Sequence, residues 1–388
     1  MNTSAITEFQ PTEFETARVL VADDQAPVLD ALQLLLKGQG YRTQAVNEPS
    51  RVLQALESEQ FDVVLMDMNY ERDTTAGEEG LQLVSQIRAH DQNVPVLVMT
   101  AWGSVELAVE AMRRGASDFV QKPWQNHQLL AKLREQVERA QIERRAQRCR
   151  EDELREAREI QNKLFPGDLP EISDYEIAAV TKPVRFVGGD YYNVVRVSER
   201  ATALCIADVA GKGTPAALLM SSLQAALKPL IWQGLAPREL CSRLNRMLCE
   251  ITPANKFTSF FYGVLDNKEN RLTYCNAGHN PPILVGTGGQ AVELNAAGAV
   301  LGQFPDWAYE QSEIQLKHGD RLLMFTDGLV EACGQGGEPF GEPGLVKIAQ
   351  ANPFCAATSL LNRIMHGASE HCDGRFHDDA SLVVLRAI

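Results

Sequence analysis

The sequence predicts two folded units of different class joined by a long helix. The first is a doubly wound parallel α/β sheet, and the second is an α+β unit of mostly antiparallel strands in two sheets with helices outside. Three observations carry this. Between Arg18 and Trp124, short apolar runs (VLVA, VVLM, VLVM) alternate five times with helical patterns, and continuous apolar runs are what strands buried on both faces of a parallel sheet require. From Gln125 to Lys163 the chain is dense in charge and has neither Gly nor Pro, so nothing interrupts a helix. Beyond Tyr175, short strand patterns separated by Gly, Asn and Pro turns take over.

These patterns divide the chain into a flexible tail (1–16), an α/β domain (17–124), a helical linker (125–165) and an α+β domain (166–388). A length of 388 residues with 45% hydrophobic content supports more than one full core. The formal net charge of -14 repels nucleic acid, and direct binding to it is not expected. Eight cysteines, scattered from Cys149 to Cys372 without a C-x-x-C, read as reduced structural thiols. The N-terminal residues lack a basic start and an apolar core, and the longest nearly uncharged stretch, Leu272 to Pro305, is broken by Gly, Asn and Pro. The expectation is a cytoplasmic protein without a membrane segment.

In a doubly wound sheet ligands gather at the carboxyl ends of the strands, and the polar residues of the first domain fall there: Asp23, Asp24, Asp67, Thr100 and Lys122. Three carboxylates in one crevice repel one another unless a hard cation is bound. In this order the markers resemble a two-component receiver domain of flavodoxin-like fold. The resemblance implies that Asp67 accepts a phosphoryl group from a sensor histidine kinase. It implies that Asp23, Asp24, Asp67 and the Asn69 carbonyl hold magnesium, and that Thr100, Lys122 and the aromatic Phe119 form the switch. The segment after Asp67, MNYERDTTAGEEG, is longer than the family's usual loop and lacks its proline.

Along the linker, apolar residues at Leu130, Leu133, Val137 and Ala140, and again at Leu154, Ala157 and Leu164 with Gln161 among them, have 3-4 spacing. This predicts a homodimer through a coiled coil, or else a solvated spacer. Pro166, Gly167 and Pro170 end the helix.

The second domain places acidic motifs at its strand ends: GGD at Asp190, DVAGKG at Asp208, TDG at Asp327, and HDD at Asp378 and Asp379. The stretch GGDYYN looks at first like a cyclic-dinucleotide cyclase loop, but Tyr191 and Tyr192 follow it where a cyclase requires acidic and aromatic residues, and no nucleotide-binding half accompanies it. DVAGKG is no P-loop, because it lacks the first glycine and has Gly213 after the lysine. All the strand-end donors are oxygens, a set that favours magnesium or manganese over zinc.

The ordered set GGD, DVAGKG, NAGHNP, TDG and HDD, preceded by AREIQNKLFPGDLP, resembles the SpoIIE-type branch of the PPM metal-dependent serine/threonine phosphatases. That resemblance implies a PPM-type β-sandwich with a catalytic set of Asp190, Asp208, Asp327 and Asp378 and two ions, magnesium or manganese. Asp208 bridges the ions, the Val209 carbonyl and Asp190 serve one, and Asp327 with Asp378 serve the other, Asp379 being second choice. Two such cations neutralise a phosphate dianion and stabilise in-line displacement. His279 reads as a structural turn residue rather than a general acid. Asn193 stands where relatives carry an acid, and Ala380 with Ser381 where they have Met or Ala then Thr. The implied substrate is a phosphorylated partner, an anti-sigma-factor antagonist, and the alternative is a receiver-controlled scaffold without turnover.

Overall fold

The computed structural model describes residues 17–70, 77–100, 105–295, 298–334 and 336–388. The expected tail and residues 71–76 of the insertion after Asp67 lie outside the described residues. The chain forms two compact units, Met1–Glu151 and Asp152–Ile388.

The first unit runs β1 (Arg18–Ala22), α1 (Ala26–Gly38), β2 (Arg42–Val46), α2 (Pro49–Ser58), β3 (Val63–Asp67), α3 (Glu78–His90), β4 (Val96–Thr100), α4 (Val105–Arg113), β5 (Asp118–Gln121) and α5 (Asn126–Asn162). The five strands are parallel in the order β2-β1-β3-β4-β5. Within them the faces alternate: Leu20, Val64 and Val98 point to one helical layer, while Val19, Leu65 and Leu97 point to the other. The order reverses at β1, so the ends of β1 and β3 flank a crevice.

Helix α5 spans 37 residues, roughly 55 Å at 1.5 Å per residue. Its first apolar stripe does not face outward for a partner helix. Leu129, Leu133 and Val137 are buried in the core of the first unit, where Leu130 packs beside them. Further along, Arg144 pairs with Asp62 at 2.8 Å.

The second unit runs β6 (Tyr175–Lys182), β7 (Tyr191–Arg196), β8 (Ala201–Val209), α6 (Thr214–Ile231), α7 (Pro237–Cys249), β9 (Thr258–Asp266), β10 (Arg271–Ala277), β11 (Ile283–Val285), β12 (Ala291–Glu293), β13 (Ser312–Gln315), β14 (Arg321–Phe325), α8 (Asp327–Val330), α9 (Gly341–Ala351), α10 (Ala357–His371) and β15 (Ala380–Ala387). One sheet has the order β13-β10-β9-β8-β7 and the other β12-β11-β14-β15-β6, with antiparallel pairing throughout. Ile206, Phe261, Met324 and Val383 meet between the sheets. The opposite faces are also covered: Cys205 and Ala207 lie under α6 and α7, and Leu382 and Val384 under α9 and α10. Both faces being buried explains why these antiparallel strands read as unbroken apolar runs.

Strand β13 and helices α9 and α10 were not among the sequence expectations. Gly341, Pro343 and Gly344 crowd the first turn of α9, where they read as loop although proline suits a helix start. Helix α10 is fixed by Leu360, Leu361, Ile364 and Ala368 at helical spacing against β15.

Candidate functional site

In the first unit Asp23, Asp24 and Asp67 converge, with a ligand atom from each lying within 4.8 Å of the other two. Lys122 closes the group, its Nζ 2.7 Å from Asp23 Oδ2 and 2.8 Å from Asp67 Oδ2. The Met68 N–H donates to Asp67 Oδ1 at 2.8 Å. Burial and the Asp23 charge push the Asp67 carboxyl upward against the pull of Lys122. Asp24 Oδ1 is buried without a hydrogen-bond partner. An all-oxygen donor set with an orphaned lone pair fits a hard divalent cation. Thr100 is buried at the end of β4, where its carbonyl accepts the Lys122 N–H at 2.7 Å. Phe119 on β5 is 38% exposed, and the Lys132 ammonium stands 4.9 Å over its ring. Asn69 follows β3 by two residues.

In the second unit the five predicted aspartates come from the ends of strands in both sheets. Asp190 precedes β7, Asp208 lies near the end of β8, Asp327 opens α8 after β14, and Asp378 and Asp379 precede β15. The two glycines of GGD have separate steric reasons. A Cβ on Gly189 would lie 2.9 Å from the Val209 carbonyl and 3.1 Å from Ala216 Cβ, and one on Gly188 would lie 2.4 Å from Asp379 Oδ2. Glycine is thus what lets the loop before Asp190 close on β8 and β15.

Asp190 is buried, and its Oδ2 accepts hydrogen bonds from Thr326 Oγ1 at 2.8 Å and Ser381 Oγ at 2.6 Å. Its Oδ1 has no partner. Burial and then the Asp208 charge lift its carboxyl well above the usual range. Burial, followed by the charges of Asp327 and Asp378, lifts Asp208 to about 7. Asp327 is raised by burial and Asp378 in the same way. Carboxylates that oppose one another's ionisation, one with an orphaned buried oxygen, fit hard cations as their missing partners. The second-unit acids form a wider set than the receiver trio, which among the described residues is the group with three ligand atoms within 4.8 Å. Asp379 differs from its neighbours, because its two oxygens each accept a backbone N–H at 2.8 Å, from Val184 and Gly189.

Four side chains at this centre went unassigned in the sequence reading. Gln161, near the end of α5, is buried and grips one peptide in two directions: its Nε2 donates to the Gly188 carbonyl at 2.7 Å and its Oε1 accepts the Gly188 N–H at 3.1 Å. Its 3-4 spacing is real, but the face it marks turns inward. Thr326 and Ser381 orient Asp190, and Ser381 Oγ lies 2.8 Å from Thr181 Oγ1. Lys212 pairs with Asp378 at 2.9 Å.

His279 is buried, with Nδ1 2.8 Å from Ser259 Oγ and Nε2 3.1 Å from the Phe325 carbonyl. Burial lowers its pKa to about 4, so the ring is neutral, and donation from Nε2–H leaves Nδ1 to accept from Ser259. It ties β9 to β14 in a structural role, since both ring nitrogens are occupied.

A doubly wound sheet with an acidic crevice and a lysine, followed by a two-sheet unit ringed by aspartates, defines a response regulator with a metal-dependent phosphatase output. Known proteins agree with that class. Residues 198–388 match the family described as Stage II sporulation protein E (SpoIIE), and residues 19–134 match the response regulator receiver domain. The chain is 30% identical to phosphoserine phosphatase RsbU of Bacillus subtilis (strain 168) over 264 residues, 68% of this chain and 74% of RsbU. It is 25% identical to phosphoserine phosphatase RsbP of the same organism over 241 residues, 60% of this chain and 57% of RsbP. The SiaA-PP2C domain of Pseudomonas aeruginosa shares the fold, with a TM-score of 0.56 at 21% identity over 62% of this chain and 98% of that domain. The chain belongs to the SpoIIE family of PPM protein serine/threonine phosphatases, whose members are metal-dependent, and carries a receiver domain ahead of it. Among the described residues, no helix is long and apolar enough to cross a membrane.

Proposed function

We propose that this response regulator hydrolyses phosphoserine or phosphothreonine in a partner protein, an anti-sigma-factor antagonist, under control of phosphorylation at Asp67 by a sensor histidine kinase. The observation that carries the reading is the gathering of Asp190, Asp208, Asp327 and Asp378, in which the charges of Asp327 and Asp378 act on Asp208 and buried Asp190 keeps one oxygen without a partner. In this reading Asp208 would be a ligand of both of two magnesium or manganese ions, with Asp190 and the Val209 carbonyl as further ligands for one and Asp327 and Asp378 for the other. Asp379 holds the GGD loop through Val184 and Gly189, and so supports the set from behind. When bound, the ions supply charge neutralisation for the phosphate dianion and a more acidic water. The protein's own part is orientation: Thr326 and Ser381 fix one oxygen of Asp190, and Gln161 fixes the peptide two residues before it.

The receiver pocket supports the regulatory half. Lys122 spans Asp23 and Asp67, Asp24 keeps an unpartnered oxygen, and together with Asn69 these residues would hold one magnesium beside the phosphoacceptor. Thr100 and Phe119 complete the switch. Release of nitrophenol from nitrophenyl phosphate in manganese tests the catalytic half. Asp208→Ala should abolish it in a folded protein, and retention of more than about a tenth of wild-type turnover would refute the assignment, since losing a bridging ligand costs several kcal/mol at ~1.36 kcal/mol per tenfold. Acetyl phosphate should add a phosphoryl mass to the wild type and none to Asp67→Asn.

A further inference from the structure

Lys212 sits in the turn between β8 and α6, flanked by Gly211 at φ 112° and Gly213 at φ 70°. Its ammonium lies 2.9 Å from Asp378 Oδ2 and also donates to the His377 carbonyl. The Asp378 carboxylate has its other oxygen 2.9 Å from its neighbour's N–H, that of Asp379. Burial and the Asp378 charge push Asp327 upward while Lys212 pulls it down. The same ammonium pulls on Asp379, which burial raises. One lysine therefore acts on three of the five acids.

An ion pair with side chains 36% and 34% exposed contributes little to stability. The position of this one matters more, because the ammonium occupies an oxygen that the phosphatase reading assigns to a cation. An ammonium and a divalent ion on one carboxylate repel each other. Lysine suits an exchange, since its charge ends a flexible four-carbon stem with rotatable donors, and Arg would hold a fixed fork instead.

We propose that Lys212 is an exchangeable counter-ion: it occupies Asp378 in the metal-free centre and, when a divalent cation takes that carboxylate, turns its ammonium to the phosphate of the substrate. The inference rests on the phosphatase reading and adds to it a phosphate-binding group outside the carboxylate set. No covalent bond changes. One ion pair is exchanged for another.

Calorimetric titration of the metal-stripped full chain with manganese, followed by inhibition of the loaded enzyme by inorganic phosphate, tests both halves. Lys212→Met keeps the length and removes the charge. It should tighten the weaker manganese step by up to about fivefold, the worth of an exposed ion pair, and weaken phosphate inhibition by about tenfold, the worth of a hydrogen bond to a charged group. Lys212→Arg should keep manganese binding close to wild type, because the competing charge remains. Superimposable manganese isotherms for wild type and Lys212→Met would overturn the exchange, and an unchanged phosphate inhibition constant would overturn the substrate role. Failure of the wild type itself to bind manganese would defeat the phosphatase reading, and this inference with it.

Discussion

Gln161→Ala should cripple turnover without unfolding the protein. The side chain makes two hydrogen bonds to one buried peptide, 2.7 Å to the Gly188 carbonyl and 3.1 Å from the Gly188 N–H. Alanine leaves both groups without a protein partner where Gly188 is buried. Each orphaned group costs ~1–3 kcal/mol. The GGD loop can escape that cost by shifting, but Gly189 already abuts the Val209 carbonyl, and Asp379 holds the Gly189 N–H, so a shift moves Asp190 off its hydroxyl donors. A loss of ~2–4 kcal/mol at Asp190 lowers turnover roughly 30- to 1,000-fold at 1.36 kcal/mol per tenfold. Gln161→Glu discriminates further: it keeps an acceptor for the Gly188 N–H but sets a carboxylate against the carbonyl, and should be no better than alanine. Manganese-dependent nitrophenyl phosphate hydrolysis, read beside thermal melting, is the assay. Turnover within twofold of wild type with an unchanged melting temperature would refute the reasoning, because the Gly188 peptide would then not govern Asp190.

Ser381→Ala removes the 2.6 Å donor to Asp190 Oδ2 and should cost ~1.5–3 kcal/mol of activity, about 10- to 150-fold, whereas Ser381→Thr retains the hydroxyl and should stay within a few-fold; equal activity of the two variants would show the hydroxyl to be idle. The metal-free protein should lose stability as pH rises from 6.5 to 8. Asp208 has a folded pKa of about 7, above the ordinary 3.8, so its contribution is full below the unfolded value and is lost as pH climbs through the folded one. That loss amounts to ~1 kcal/mol over this window. His279 acts in the opposite sense, but only below its ordinary 6.5, since burial holds it at about 4. A melting temperature in chelator that rises between pH 6.5 and 8 would contradict the assignment, and added manganese should abolish the fall. Phosphorylation at Asp67 should change phosphatase activity at least about fivefold, the lower end of typical coupling, and Gly-Gly-Ser-Gly inserted after Cys149 should erase the difference while basal turnover persists; regulation that survives the insertion would rule out transmission through α5.

The markers that could be read from sequence share one property: they are constrained by chemistry at a fixed chain position. Asp67, Lys122 and the GGD glycines are of this kind, since each sits at a strand end where backbone approach or charge admits few residue types. What escaped depends on partners distant in the chain. Gln161 is 27 residues from Gly188, and Ser381 is 191 from Asp190. Nothing local distinguishes such a glutamine from a solvated one in a charged helix. The Lys212 pair with Asp378 spans 166 residues and was hidden for the same reason. His279 was legible only in part: the neighbouring prolines marked a turn, but the tie between Ser259 and Phe325 requires both sheets to be in place.

The linker shows what period alone cannot decide. Apolar residues at 3-4 spacing are equally compatible with a seam between two helices and with packing against the chain's own core. In α5 the second outcome holds at both ends. Leu133, Val137 and Ala140 are buried in the first unit, and Gln161 is buried with Leu164 packed beside it in the second. Between these anchors the helix is dense in charge, and Ile142 and Ile160 are its largely exposed apolar side chains, at 64% and 58%. The second half of the stripe differs from the first, since Leu154 and Ala157 are only half-buried, and between the two halves i,i+4 pairs such as Arg139 with Glu143 satisfy the helix internally. Helix α5 is packed in the core of the first unit at Val137 and hydrogen-bonded to the Gly188 peptide of the second at Gln161, which is why an insertion after Cys149, between the two, is the perturbation that tests whether the helix carries a signal.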